Sequence, residues 1–163
     1  MASKRGAKIL PFFWFVKEAE EAAKFYASIF PDSRVDRVAK MPAESPAGPA
    51  GSVTIVDFTL FGQPFQAMSA GPLDPFNHAI SMVVHCDDQT ELDRYWAALL
   101  EGGSPEECGW LKDRYGVSWQ IVPSVIPQVM QGEDAAAKGR LFRAFMPMKK
   151  LDIATLQQAL EAN

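Results

Sequence analysis

The side chains able to do chemistry are few. The 163-residue chain holds two histidines, His78 and His85, and two cysteines, Cys86 and Cys108. One chain therefore cannot build a three-histidine metal site, a disulfide framework or a thiolate metal cluster. His85 sits in an apolar strand and is the single weak candidate for a general base. A lone histidine at a strand end is more often a satisfied structural residue. Cys86 reads as a buried core thiol, and Cys108 lies in a loop beside Gly109 with nothing nearby to activate it. Lys112 and Asp113 fall in a hairpin turn and read as an exposed pair rather than an acid–base couple. Two glutamines stand out instead. Each closes a short motif, Gly62-Gln-Pro-Phe-Gln66 and Gly116-Val-Ser-Trp-Gln120. A glutamine amide donates and accepts hydrogen bonds but carries no charge. Such groups bind and orient a molecule, and no nucleophile–base pair or carboxylate pair accompanies them.

The two glutamine motifs are 54 residues apart and belong to a larger internal repeat. At a slide of 70 residues, the apolar run Ile9–Val16 falls on Ala79–Cys86. Both are short enough to be strands buried on two faces. The same slide sets Phe25-Tyr26 on Tyr95-Trp96 and Ile29-Phe30 on Leu99-Leu100. These residues belong to helical stripes, Ala19, Ala22, Ala23, Tyr26, Ile29 and Phe30 in the first and Leu92, Tyr95, Trp96, Leu99 and Leu100 in the second. Asp88-x-x-Glu91 forms a capping-box pattern, and Phe30-Pro31-Asp32-Ser33 is a breaker. The difference between the two slides fits an insertion at Met41–Gly51, a loop rich in Pro, Ala and Gly.

Each unit then reads strand, helix, strand, strand, strand. The later strands are expected near 34–40, 53–61 and 64–70, and again near 105–108, 110–112 and 117–122. The expectation is one domain over 1–163, with a first unit at about 8–72, a second at about 76–123 and a helical tail at about 124–163. In the tail, Ser124 is placed to cap a short helix with Pro127 in its first turn. Ala135–Met146 forms a second helix, and Asp152 caps a third with Ile153, Leu156 and Leu160 on one side. The tail serves either as packing or as a lid over a ligand.

Composition narrows the function classes. At 48% hydrophobic and 11% aromatic residues the chain can build its own core. A net charge of −4 argues against nucleic acid and against an anionic membrane surface. The eight-residue run Ile9–Val16 is too short for a secretory signal or a membrane span, so a cytoplasmic location is expected.

Several stretches carry a family likeness. They are Glu20-Glu-Ala-Ala-Lys-Phe-Tyr-Ala-Ser-Ile-Phe-Pro-Asp-Ser33, Gly62-Gln-Pro-Phe-Gln-Ala-Met68, Pro75-Phe-Asn77 and Cys108-Gly-Trp-Leu-Lys-Asp-Arg-Tyr-Gly-Val-Ser-Trp-Gln-Ile-Val-Pro123. With the repeat, they resemble the vicinal oxygen chelate superfamily of glyoxalase I, extradiol dioxygenases and bleomycin-resistance proteins. Within it they resemble the PhnB-like branch, labelled 3-demethylubiquinone-9 3-methyltransferase-like. The likeness covers roughly residues 8–160. It implies an α+β fold of two βαβββ units whose curved mixed sheets surround a cavity, with a C-terminal helical tail. The residues do not support the methyltransferase label, because a Rossmann methyltransferase needs a glycine-rich strand-to-helix turn that is missing here.

The resemblance also implies four metal-ligand positions, one on the first and one on the last strand of each unit. They fall on Pro11, Gln66, Ser81 and Gln120, and a two-residue shift to Met68 keeps the strand face. Proline has no side-chain donor atom, and Ser and Gln are weak neutral ligands. A divalent metal is therefore disfavoured and no cofactor is expected. Strand alternation places Pro11, Phe13 and Phe15 on the cavity side with Ser81, Val83, His85, Gln66, Met68, Ser118 and Gln120. Phe65, Ala67, Trp119 and Ile121 then face the helices. The two glutamines either form the polar centre of an aromatic cavity or hydrogen-bond each other across a closed core. The expected function is binding of a small organic molecule in a metal-free cavity. The alternative is an enzyme of the same superfamily acting on a small oxygenated metabolite, with or without a metal. A homodimer is expected, with unit exchange between chains left open.

Overall fold

The computed structural model describes residues 7–162. Its contacts divide the chain into two compact units, Met1–Asp74 and Pro75–Asn163. The basic start, Met1–Gly6, lies outside the described residues.

The first unit runs β1 (Phe12–Phe15), α1 (Ala19–Ile29), β2 (Arg34–Lys40), β3 (Thr54–Leu60) and β4 (Gln63–Ser69). The sheet order is β1-β4-β3-β2, with β1 parallel to β4 and the other pairs antiparallel. Helix α1 buries Ala19, Ala22, Ala23 and Tyr26, the apolar stripe of the sequence. Its small alanines let the helix lie close to the sheet. Its first backbone N–H finds a partner on β4, since Ala19 N–H donates to Ser69 Oγ at 2.9 Å. The helix ends where Phe30 turns extended ahead of Pro31, as a residue before proline prefers. The β3–β4 hairpin turns on Phe61 and Gly62 with φ of 49° and 73°, the left-handed pair a two-residue hairpin needs. The insertion at 41–51 is tied down at its base, Met41 N–H donating to Val53 O and Gly51 N–H to Met41 O.

The second unit repeats the plan with β5 (Met82–Cys86), α2 (Gln89–Leu100), β6 (Ser104–Pro105), β7 (Trp110–Lys112) and β8 (Ser118–Pro123). The order is β5-β8-β7-β6, again with one parallel pair, β5–β8. Asp88 caps α2 by accepting from Glu91 N–H at 2.8 Å. The return bond differs from a standard capping box, because Glu91 Oε2 accepts from Asp87 N–H, one residue earlier.

Both expected eight-residue strands are shorter than the apolar runs. Pro11 offers no N–H to a ladder and stands before β1. Asn77 Oδ1 accepts from Ala79 N–H at 2.8 Å, an Asx turn that delays β5 to Met82. Ile9 and Ile80 are exposed accordingly.

The tail forms α3 (Val125–Gln131), α4 (Ala135–Phe145) and α5 (Ile153–Glu161). Asp134 and Asp152 cap the last two through Ala137 N–H and Thr155 N–H. Ser124 does not cap α3; its hydroxyl donates to Asp87 Oδ1 at 2.9 Å. Further bonds fasten the tail to its own unit. Gln89 Nε2 donates to Leu151 O, and Gln89 Oε1 accepts from Ile153 N–H at 2.8 Å. Cys108 and Gly109 N–H donate to Met148 O and Lys149 O. Gly109 has φ +82°, and a Cβ there would stand 2.9 Å from Ile121 O, so the close approach needs glycine. Leu141, Leu151 and Leu156 are fully buried.

Candidate functional site

In the first unit the two faces of the sheet have different chemistry. Phe13 and Phe15 are buried, and the Phe13 ring lies 6.0 Å from Phe65 and 6.4 Å from Phe58. The register explains this. Phe12 pairs with Gln66 and Phe13 with Ala67, so Phe12 and Trp14 share the face of Gln66 and Met68. Phe13, Phe15, Phe65 and Ala67 form the opposite face, which is core. The expected grouping of Phe13 and Phe15 with Gln66 is corrected: these rings belong to the core, and Phe12 and Trp14 take their place. Pro11 meets Gln66 through the backbone, its carbonyl accepting from Gln66 N–H at 3.0 Å.

Gln66 lies in a row that crosses all four strands. Phe12 pairs with Gln66, Gln66 with Asp57, and Asp57 with Arg37. Gln66 Nε2 donates to Asp57 Oδ1 at 2.8 Å, and Arg37 Nε donates to Asp57 Oδ2 at 2.7 Å. The carboxylate accepts on both oxygens and its charge is balanced by the guanidinium. Because a carboxylate only accepts, the amide NH2 of Gln66 must face it.

In the second unit the sequence-based faces are right. Val84, Cys86, Trp119 and Ile121 are buried. Val83 pairs with Gln120 and His85 with Val122, which places these four on the other face. Gln120 also pairs with Trp110 on β7. Its Nε2 donates to Ser81 Oγ at 2.8 Å. Each glutamine amide thus finds a partner inside its own unit. Ser118 is on the same face as Gln120, and its buried hydroxyl has no hydrogen-bond partner among the described residues.

His85 is exposed and has no hydrogen-bond partner among the described residues to orient it as a base. The histidine with an orienting partner is His78. Its Nε2 lies 2.9 and 3.0 Å from the two carboxylate oxygens of Glu106, and its ring centroid lies 5.9 Å from that of Trp110. Sequence reasoning missed this group because 28 residues separate the partners and neither sits in a chemical motif. Asp113 is a second correction. It is 3% exposed rather than half of a surface pair. Its Oδ1 accepts from Tyr115 and Val117 N–H, and its Oδ2 accepts from Trp119 Nε1–H at 2.8 Å. An aspartate opening a turn favours such Asx bonding, and that signal was legible. Burial pushes the Cys86 thiol up to about 12, with Glu91, Asp87 and Asp88 adding to the rise, so it is inert at neutral pH.

The donors do not fit a divalent metal. Position 11 is proline, both oxygens of Asp57 are engaged, and Ser81 and Gln120 bond each other. Among the described residues no group of three or more His, Cys, Asp or Glu is arranged to hold an ion.

The model of the family described as 3-demethylubiquinone-9 3-methyltransferase matches residues 7–122. The chain belongs to that family. A PhnB protein of the family from Bacillus cereus is 32% identical, aligned over 72% of this chain and 100% of its own, with a TM-score of 0.64. Protein PA1353 from Pseudomonas aeruginosa is 22% identical over 72% of this chain and 98% of its own, with a TM-score of 0.55. The fosfomycin resistance protein FosX from Listeria monocytogenes shares the fold at 12% identity and a TM-score of 0.55, over 81% of this chain and 100% of its own. No curated protein matches. These likenesses place the PhnB-like chain in the vicinal oxygen chelate superfamily, with its glyoxalase/bleomycin-resistance fold. The fold differs from that of a Rossmann methyltransferase: it has two four-stranded sheets, each with a single parallel pair, in place of a doubly wound parallel sheet.

Proposed function

We propose that this PhnB-like protein binds a small, planar, partly polar organic molecule without a metal. One observation carries the reading: each unit sets an oriented glutamine amide beside an aromatic residue on one sheet face, Phe12 next to Gln66 and Trp110 next to Gln120. Gln66 stands between Phe12 and the Asp57–Arg37 pair. Gln120 stands between Val83 and Trp110 and is held by Ser81. Aromatic walls with few oriented polar groups are what small-molecule sites use. The neutral amides supply about 1 kcal/mol for each well-made hydrogen bond, and apolar burial supplies the rest.

The protein works as a homodimer in this reading. Each sheet ends in two strands without a further strand partner among the described residues, β1 and β2 in one and β5 and β6 in the other. Such edges favour pairing with another chain. Among the described residues no helix is long and apolar enough to cross a membrane.

A thermal-shift screen of planar heteroaromatic and phenolic compounds tests the proposal. A hit should raise the melting temperature of the parent, and Gln120→Leu should lose most of that rise while melting close to the parent without ligand. No hit across such a library, or a hit indifferent to both Gln66→Leu and Gln120→Leu, contradicts it.

A further inference from the structure

We propose that His78, held by Glu106, takes the proton of an acidic hydroxyl on a planar ring compound lying against Trp110. This rests on the small-molecule reading above and adds the chemical class of the ligand. Glu106 receives the imidazole at Nε2, so in the neutral ring Nε2 carries the proton and Nδ1 is a bare acceptor. Nδ1 has no partner among the described residues, and the His78 side chain is 53% exposed. The carboxylate does not float. Glu106 N–H donates to Trp110 O at 2.9 Å, and Trp110 N–H donates to Glu107 O at 3.1 Å. These bonds fix the turn that carries the carboxylate to the strand that carries the indole. Trp110 in turn stands across the ladder from Gln120, a placement that brings side chains to roughly 5 Å. Base, aromatic surface and amide are thus contiguous within one unit. His85, exposed and without an orienting partner, lacks this arrangement.

The step is a simple proton transfer. The ligand O–H bond breaks and its electron pair stays on oxygen. The proton forms an N–H bond at Nδ1. The resulting imidazolium lies between the Glu106 carboxylate and the new oxyanion, with an opposite charge on either side. No co-reactant is needed.

The probe is 4-nitrophenol, whose ionised form absorbs at a longer wavelength than the neutral form, with nitrobenzene as a ring of similar shape and no acidic proton. At a fixed pH slightly below neutral, adding protein should raise the phenolate band several-fold over buffer. His78→Gln should abolish the rise and Glu106→Gln should reduce it. Equilibrium dialysis should show both variants still binding nitrobenzene like the parent, which reports that the surface at Trp110 is intact. A phenolate rise that persists in His78→Gln overturns this inference and leaves the small-molecule reading standing. So does 4-nitrophenol bound wholly in its neutral form. Failure of both probes to bind the parent overturns the inference together with the reading beneath it.

Discussion

Gln66 donates its amide N–H to Asp57 at 2.8 Å, and Arg37 takes the other oxygen of the same carboxylate at 2.7 Å. A residue expected to offer a free amide to a ligand is therefore oriented by a charged neighbour. Replacing Asp57 by Leu should leave both donors without their acceptor. The Asp57 side chain is 25% exposed, so water partly replaces the lost bonds. We expect a loss of about 1 kcal/mol in urea unfolding. Arg37→Ala should cost less, because the guanidinium is largely exposed. An equal or larger loss in Arg37→Ala would contradict this ordering.

The order and kind of every element were legible in the sequence, because the repeat and the helical stripes are strong periodic signals. The facing of β1 was not. Gln66 pairs with Phe12 and Gln120 with Val83, so between the first strands the structural offset is 71 rather than 70. The helices still match at 70, as Ala19 and Gln89 begin them. The connection from β1 to α1 has three residues, 16–18, whereas that from β5 to α2 has two, 87–88. One extra residue between strand and helix moves the match by one, and a one-residue slip exchanges the faces of a strand. An apolar run such as Phe-Phe-Trp-Phe carries no alternation to reveal that slip. The His78–Glu106 pair was hidden for another reason: tertiary packing alone brings the two together.

Asp113 is a structural carboxylate. Asp113→Asn keeps the shape but exchanges one acceptor for an NH2 donor. That donor must then meet either Trp119 Nε1–H or the backbone N–H groups of Tyr115 and Val117. We expect a cost of about 2 kcal/mol in chemical denaturation, with Lys112→Ala within about 0.5 kcal/mol of the parent. Similar small effects for both changes would restore the surface-pair reading.

Ser118 gives a prediction of the opposite sign. Its buried hydroxyl has no partner among the described residues. Ser118→Ala removes an unsatisfied polar group, so its melt should be neutral or more stable by about 1 kcal/mol. A clear loss of stability would reveal a hydrogen bond to this hydroxyl.

Alkaline stability should report on Cys86. Its thiol is raised from an ordinary value of 9.0 to about 12 in the fold, so above pH 9 the unfolded chain loses a proton that the folded chain keeps. The contribution is fully present below about pH 9 and is lost as pH rises toward 12. Cys86→Ala should therefore show a shallower fall in stability over that window than the parent. Identical slopes would mean that the thiol is as free to ionise in the fold as in the unfolded chain.

Ligand binding in the proposed site needs no metal. Calorimetric titration of the best planar hit into chelator-treated protein, and again into protein supplied with Mn2+ or Zn2+, addresses it most directly. The same affinity is expected in both, with weaker binding in Gln120→Leu under either condition. Binding that appears only with the metal present, with one ion bound per chain, would contradict it.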